Sequence, residues 1–230
     1  MLEDLDAIVM FSVLGLPINA TIFYSWVVMG ILVLLSWLAT KNLKTTIEVG
    51  KFQTAMEMIV MAIRGQIKDA SNDNPMKYLP MMGTFFLFIA LSNLLTIIPW
   101  FKAPTASLST TGAFSLCVFF AVPFYGIKNA GIKKYLKKYI DPVPIMLPMN
   151  ILSDFTSVFS LAFRLYGNVL SGAIIGSVLI MLVPFLLPLP MQILGLLTGT
   201  IQAYIFALLS IVYVSSVGPE EQYRDNLNNY

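Results

Sequence analysis

One arginine, Arg164, lies within the longest apolar part of the chain and is the first candidate for chemistry. Between residues 142 and 218 the only charged side chains are Asp154 and Arg164. A guanidinium keeps its proton in proteins, and placing one at bilayer depth costs at least about 2.5–3.5 kcal/mol. We therefore expect Arg164 to have a partner, and that partner could lie on another chain.

Polar side chains recur around Arg164 with the spacing of one helical face. The residues of this stripe are Asp154, Ser157, Arg164, Asn168 and Ser171. On the next apolar run Gln202 is the most polar residue near the middle. A polar stripe on a membrane span faces protein or water rather than lipid. For the serines the alternative is a bond to a preceding carbonyl, and for Asn168 and Gln202 it is interhelical hydrogen bonding.

The stripe and its arginine together predict an electrostatic gate. A fixed positive charge in mid-membrane would attract a carboxylate from a partner and repel a second cation at that point. Polar faces on either side could carry ions partway into the membrane. We expect two half-pathways separated by Arg164 rather than a simple open pore.

Five apolar runs could position these residues, because about 20 apolar residues span a bilayer. The runs cover residues 18–40, 78–101, 112–127 (extensible from 107), 145–182 and 191–217. The fourth would be about 57 Å long as one helix, against a hydrocarbon core of about 30 Å. It must tilt, bend or leave the membrane, or else consist of two short helices. We expect one tilted helix, because residues 158–182 contain no proline.

Composition agrees with a membrane protein and excludes several function classes. The 230 residues are 57% hydrophobic and 11% charged, where a soluble domain carries roughly 25% charged residues. The net charge of +2 is too small to indicate a nucleic-acid partner. The chain has no histidine and one cysteine, which excludes a Ser-His-Asp triad, histidine metal sites and an intrachain disulfide. We expect no cofactor and no metal. The acidic N-terminal residues do not fit a secretory signal.

Basic residues predict the orientation. Six follow the first run before residue 78 and five follow the third, whereas one lies between the second and third. The positive-inside rule then places the N-terminus outside and the C-terminus in the cytoplasm. Residues 45–72 alternate apolar and charged positions at helical spacing and predict an amphipathic helix on the cytoplasmic membrane surface. This helix would serve as an anchor, or alternatively as a docking face for another subunit.

The fold class expected is all-α and polytopic, with about five transmembrane helices and one amphipathic surface helix. Residues 1–230 would form a single membrane domain. Its parts would be an N-terminal span at 1–43, an amphipathic cytoplasmic segment at 44–77, spans two and three at 78–141, a long tilted hairpin at 142–217 and a cytoplasmic tail at 218–230.

Several short motifs resemble subunit a of the F-type ATP synthases over residues 78–213. They are FRLYGN at 163–168, QAYIFA at 202–207, PIMLP at 144–148, IVY at 211–213, and NLL at 93–95 with Pro99. The combination of the arginine run with the downstream glutamine is specific, whereas each part alone is weak.

The resemblance implies an ion-translocating stator subunit in the membrane motor of a rotary ATPase. Such a subunit would be non-catalytic, since ATP chemistry occurs on other subunits, and it would lie in the cell inner (plasma) membrane. Its partners would be a ring of c subunits, the peripheral-stalk b subunits and the lipid bilayer, with no nucleic acid. Arg164 would meet the ring's carboxylate and separate two half-channels. The ion pathway would include Asn168, Gln202, Asp154, Ser157, Asn93 and Ser171.

Three positions depart from the proton-conducting pattern of that family. Where many members carry acidic or histidine side chains, this chain has Ala173, Gly195 and Thr96. A lining of hydroxyls and amides suits water-borne protons or sodium, a hard cation that prefers oxygen ligands. The run 164–172 and APTA at 103–106 are similar to the sodium-translocating N-ATPase branch. The ion therefore stays open between protons and sodium, and the c-ring site decides it.

Two rival functions follow from the same residues. A stand-alone secondary transporter would use Arg164 to bind an anionic substrate, although no long internal repeat of the kind found in many transporters is evident. A purely structural membrane anchor would tolerate loss of Arg164.

Overall fold

The computed structural model describes residues 9–13, 16–41, 51–70, 74–98, 101–132, 146–182 and 188–215. These residues form six α-helices: α1 Ala20–Lys41, α2 Lys51–Ala70, α3 Leu79–Leu94, α4 Leu108–Ala130, α5 Met146–Leu182 and α6 Pro188–Ser215. All except α2 are long and apolar enough to cross a membrane. The expectation of an all-α polytopic membrane protein with five spans is confirmed.

A short β-hairpin precedes α1 and was not predicted. Strand β1 (Val9–Val13) pairs antiparallel with β2 (Leu16–Asn19). Its valines, Phe11 and Ile18 are residue types that favour strands. The first span therefore begins at Ala20 rather than at residue 18. At the other end of α1 the Lys41 ammonium lies 4.6 Å from the Trp37 ring, a pairing typical of a membrane interface.

Helix α3 is shorter than its predicted span of 78–101. It ends at Leu94 and continues as a 3₁₀ turn, Leu95–Ile97. Ile98 is extended, with φ −78° and ψ 117°, because a residue before proline is disfavoured in the helical region. The chain then returns through a second 3₁₀ turn, Pro104–Ala106, into α4. The Ser107 hydroxyl caps α4 by accepting from the Ser109 amide at 3.2 Å.

Helix α5 is one continuous helix of 37 residues, about 55 Å long at 1.5 Å per residue. The two-helix alternative for this run is wrong. Its buried side chains are Val158, Leu161, Ala162 and Leu165. Beyond Leu165 no side chain of α5 that the structure describes is buried, and residues 171–175 are all exposed.

Two apolar clusters hold the helices together. The first joins α2, α3, α4 and α6 through Ile63, Ile67, Tyr78, Met82, Ala121, Val122, Ile211 and Val214. The second joins α3, α4, α5 and α6 through Phe85, Ile89, Val118, Leu161, Leu165, Ala203 and Phe206. Helix α2 thus packs one edge onto its own chain, and Ser215 Oγ donates to the Ala70 carbonyl at 3.4 Å. Met58 and Met61 of α2 remain exposed.

Phe206 is the central aromatic residue of the second cluster. It is fully buried, and its ring centroid lies 5.8 Å from that of Phe85 and 6.4 Å from that of Phe114. Phe206→Ala should lower the free energy of unfolding by about 3 kcal/mol, because the cavity forfeits these contacts. The measurement is an SDS titration in detergent micelles followed by circular dichroism. Phe120→Ala is the matched control, since Phe120 is 66% exposed. Equal SDS sensitivity of the two variants would contradict the assignment of this cluster as the packing centre.

Candidate functional site

Arg164 stands at the midpoint of α5 with an exposed side chain. Its neighbours along the packed face, Leu161 and Leu165, are almost fully buried. The arginine therefore lies on the flank of α5, beside the face that contacts α4 and α6. No ion pair to Arg164 occurs among the described residues. Asp154 is ten residues earlier on the same helix, about 15 Å along its axis, which is too far for contact.

The serines of the predicted stripe lie on α5 as expected, but their hydroxyls bond within the helix. Ser157 Oγ donates to the Ser153 carbonyl at 2.8 Å, and Ser171 Oγ donates to the Asn168 carbonyl at 3.0 Å. This is the alternative expected for serines. Each hydroxyl oxygen retains lone pairs that can accept a further bond. Asn168 is partly buried one turn after Arg164.

An open groove of about 480 Å³ runs beside the N-terminal half of α5. It is lined by Met149, Leu152, Ser153, Thr156, Ser157, Ser160 and Tyr213. Four of these seven side chains carry aliphatic hydroxyls, and the groove reaches Ser160, one turn before Arg164. Of the predicted site residues only Ser157 lines it. The unpredicted hydroxyl residues of the lining, Ser153, Thr156 and Ser160, recur three and four apart in the sequence, and this spacing was the signal for them.

Asn93 lies at the opposite end of the bundle, where it joins two distant parts of the chain. Its side chain is 5% exposed. Its Nδ2 donates to the Gly199 carbonyl of α6 at 2.9 Å, and its Oδ1 accepts from Thr105 Oγ1 at 3.4 Å. The structure thus brings Asn93 to α6 rather than to Arg164. Gly199 and Thr105 were not predicted, because nothing local in the sequence marks a contact between residues so far apart.

Buried polar side chains line the interior of the bundle near Asn93. On α4 and its cap, Ser107, Thr111 and Ser115 recur every four residues and are all buried, and Ser92 and Gln202 are buried on α3 and α6. Among the described residues, Ser92 Oγ, Ser115 Oγ and Gln202 Nε2 have no hydrogen-bond partner within the chain. Ser107, Thr111 and Ser115 were not predicted, although their four-residue spacing is visible in the sequence.

Two contacts give the order of these groups along the axes of α3 and α6. Asn93 touches Gly199 and Phe85 touches Phe206, so α3 and α6 run antiparallel. Gln202 therefore lies between the Asn93 level and the phenylalanine cluster. On the Asn93 side of Gln202 the interior holds Ser92, Ser107 and Thr111. Beyond Gln202 the rings of Phe85, Phe114 and Phe206 meet, and the buried Ser210 lies one turn further along α6. Polar interior and polar groove thus occupy opposite halves of the bundle.

Of the three positions without the expected titratable group, two are exposed and Thr96 is partly buried. Ala173 and Gly195 are both exposed, and Thr96 Oγ1 donates to the Asn93 carbonyl at 2.6 Å. In the described part of the chain no three acidic, histidine or cysteine residues converge to hold a metal ion. The polar groups of the site are hydroxyls, amides, the guanidinium of Arg164 and the carboxylate of Asp154.

Comparison with known proteins gives consistent matches along the chain. The sequence model of the family described as "ATP synthase A chain" matches residues 22–215. "ATP synthase subunit a 1" of Crocosphaera subtropica is 48% identical over 225 residues, which cover 98% of this chain and 97% of that protein. "ATP synthase subunit a 2" of Acaryochloris marina is 48% identical over 207 residues, 90% of this chain and 88% of that protein. "ATP synthase subunit a" of Albidiferax ferrireducens is 46% identical over 201 residues, 87% of each chain.

Proposed function

Because the chain belongs to the ATP synthase A chain family, we propose that it is the ion-translocating stator subunit of a rotary F-type motor. Family membership makes it a multi-pass membrane subunit of the ATP synthase membrane sector. The proposal of ion translocation rests on Arg164. Its guanidinium is exposed at the midpoint of a membrane-spanning helix and has no ion pair among the described residues.

Arg164 is the gate in this proposal. A guanidinium that cannot lose its proton needs a negative partner at bilayer depth, and a carboxylate on a ring of c subunits supplies it. While Arg164 holds one carboxylate in its ionised form, that carboxylate cannot carry an ion past it. Ions must therefore leave and enter on opposite sides of Arg164, which couples their passage to rotation of the ring.

Two polar regions support two half-pathways. The groove lined by Ser153, Thr156, Ser157 and Ser160 ends one turn from Arg164, and in the proposed orientation it opens to the cytoplasm. The interior region with Ser92, Ser115 and Gln202 lies in the other half of the bundle and opens outside. The unpartnered polar atoms of this interior region support the entry of water or ions there, because a buried polar group without a hydrogen-bond partner is costly.

The remaining predicted residues take subsidiary roles in the proposal. Asn168 and Ser171 flank the arginine on the ring side, and Asp154 attracts cations towards the cytoplasmic groove. In this proposal the subunit is non-catalytic, because ATP chemistry occurs on other subunits, and it contacts the peripheral-stalk b subunits as well as the ring. The N-terminus lies outside and the C-terminus in the cytoplasm, in the plasma membrane.

The test is to purify the complex through a tag on this chain and to sequence its small subunits. We expect a ring-forming subunit of two spans with one mid-membrane carboxylate, and we expect modification of that carboxylate by a hydrophobic carbodiimide to stop ATP-driven ion pumping. Absence of such a subunit from an active complex would overturn the proposal. Protection of the carboxylate by sodium identifies a sodium motor, and lack of protection at any pH identifies a proton motor.

A further inference from the structure

The contact between Asn93 and Gly199 is unusually close for two helices. A Cβ atom built on Gly199 would lie 2.9 Å from both Cγ and Nδ2 of Asn93 and 3.1 Å from its Cβ. At nine other glycines such a Cβ would meet nothing within 4 Å: Gly30, Gly65, Gly83, Gly112, Gly131, Gly167, Gly172, Gly176 and Gly195. The carboxamide of Asn93 therefore occupies the space that a side chain at residue 199 would need.

The hydrogen bonds fix the orientation of that carboxamide. The Gly199 carbonyl can only accept, so the amide nitrogen of Asn93 must face it. The Thr105 hydroxyl is fully buried and donates to the other end of the same amide. The chain segment after α3 thus folds back and holds Asn93 against α6, which leaves the amide little freedom to turn towards an ion.

The position of Gln202 depends on this contact. Gly199 and Gln202 are three residues apart on α6, one turn along the same face and about 4.5 Å along the axis. Both are buried. A shift of α6 away from α3 at Gly199 would move Gln202 by a similar distance, and the unpartnered Nε2 of Gln202 would leave its place in the bundle interior.

We propose that Asn93, Gly199 and Thr105 form a helix lock that positions α6, so that Asn93 is a positioning residue and not a ligand of the passing ion. The lock rests on the proposed function, because its effect on transport acts through Gln202. In this lock Gly199 is required because it has no side chain and so leaves room for the Asn93 carboxamide. It also changes the role expected of Asn93 from pathway lining to support.

The test uses three variants in the purified complex: Gly199→Ala, Asn93→Ala and the double variant. Gly199→Ala should lower ATP-driven ion pumping per assembled complex at least about tenfold, because overpacking displaces the helix. Asn93→Ala should lower it about threefold, since it removes a hydrogen bond but adds no clash. The double variant should recover to about the level of Asn93→Ala, a strong departure from additivity. In the double variant residue 93 keeps only its Cβ atom. The one remaining close contact is then the 3.1 Å between the two Cβ atoms, which a shift of a few tenths of an ångström relieves.

Gly83→Ala on α3 is the matched control, because a Cβ there meets nothing within 4 Å. If Gly199→Ala does not assemble, recovery of assembly by Asn93→Ala is the deciding measurement. The lock is overturned if Gly199→Ala pumps as well as Gly83→Ala, or if the double variant does no better than Gly199→Ala. Failure of the proposed function gives a different result, in which Arg164→Ala leaves pumping intact in the same assay.

Discussion

Arg164→Ala is expected to lower ATP-driven ion pumping about a hundredfold while leaving the complex assembled. The side chain is exposed and contributes no packing to the two apolar clusters, so the fold does not depend on it. Its interaction with a partner must at least offset the insertion cost of about 2.5–3.5 kcal/mol. Since about 1.4 kcal/mol corresponds to a factor of ten, coupled transport should fall by about a hundredfold.

The measurement is ion uptake into inverted membrane vesicles on addition of ATP, normalised to the amount of this chain in the complex. Arg164→Lys should also fail, because an ammonium keeps the charge but lacks the planar fork that matches a carboxylate. Arg64→Ala is the control, since Arg64 is an exposed arginine on α2, outside the membrane spans. If the Arg164→Ala complex pumps ions at the wild-type rate, the proposed gate is wrong, and a purely structural membrane anchor is the function that remains.

Gln202→Leu should change stability and transport in opposite directions. Gln202 is 7% exposed, and its Nε2 has no hydrogen-bond partner among the residues that the structure describes. Replacing such a group by an apolar side chain of similar size is neutral or stabilising. An ion or water that uses the amide in passage loses about 1–3 kcal/mol of interaction, so ion flux should fall about tenfold. Stability therefore separates a pathway residue from a packing residue.

The flux is measured through vesicles that hold the membrane sector alone, under an imposed potential, and stability is measured by thermal dissociation of the complex. Ser210→Ala is the matched control on the same helix. Ser210 is fully buried, but its hydroxyl already donates to the Phe206 carbonyl at 2.7 Å, so its loss should leave flux unchanged. A Gln202→Leu complex that is less stable yet conducts normally would exclude Gln202 from the pathway.

The sequence was sufficient for features that depend on local periodicity. Apolar runs located all five spans, and the absence of proline after residue 158 indicated that α5 is one helix. The charge of Arg164 against its apolar surroundings was also evident without coordinates. These features follow from the requirement that backbone groups and charges in a bilayer be satisfied.

Features that depend on contacts between distant residues could not be obtained in this way. The Asn93–Gly199 hydrogen bond joins residues 106 positions apart, and a glycine among other small residues gives no sign of its neighbour. The inward face of α2 at Ile63 and Ile67 was equally hidden, because an amphipathic pattern fits a lipid surface and a protein surface alike. Asn93 was predicted to line the ion pathway, and its hydrogen bonds to Gly199 and Thr105 were not predicted.

The long α5 has a mechanical consequence. Beyond Leu165 none of its described side chains is buried in this chain, although residues 168–170 are still partly buried. This subunit therefore holds the second half of the helix less tightly than the first, and a sideways force on α5 should displace its far end most. Arg164 lies next to the last buried residue. If a rotor turns against α5 as proposed, its torque should move the guanidinium less than the far end of the helix.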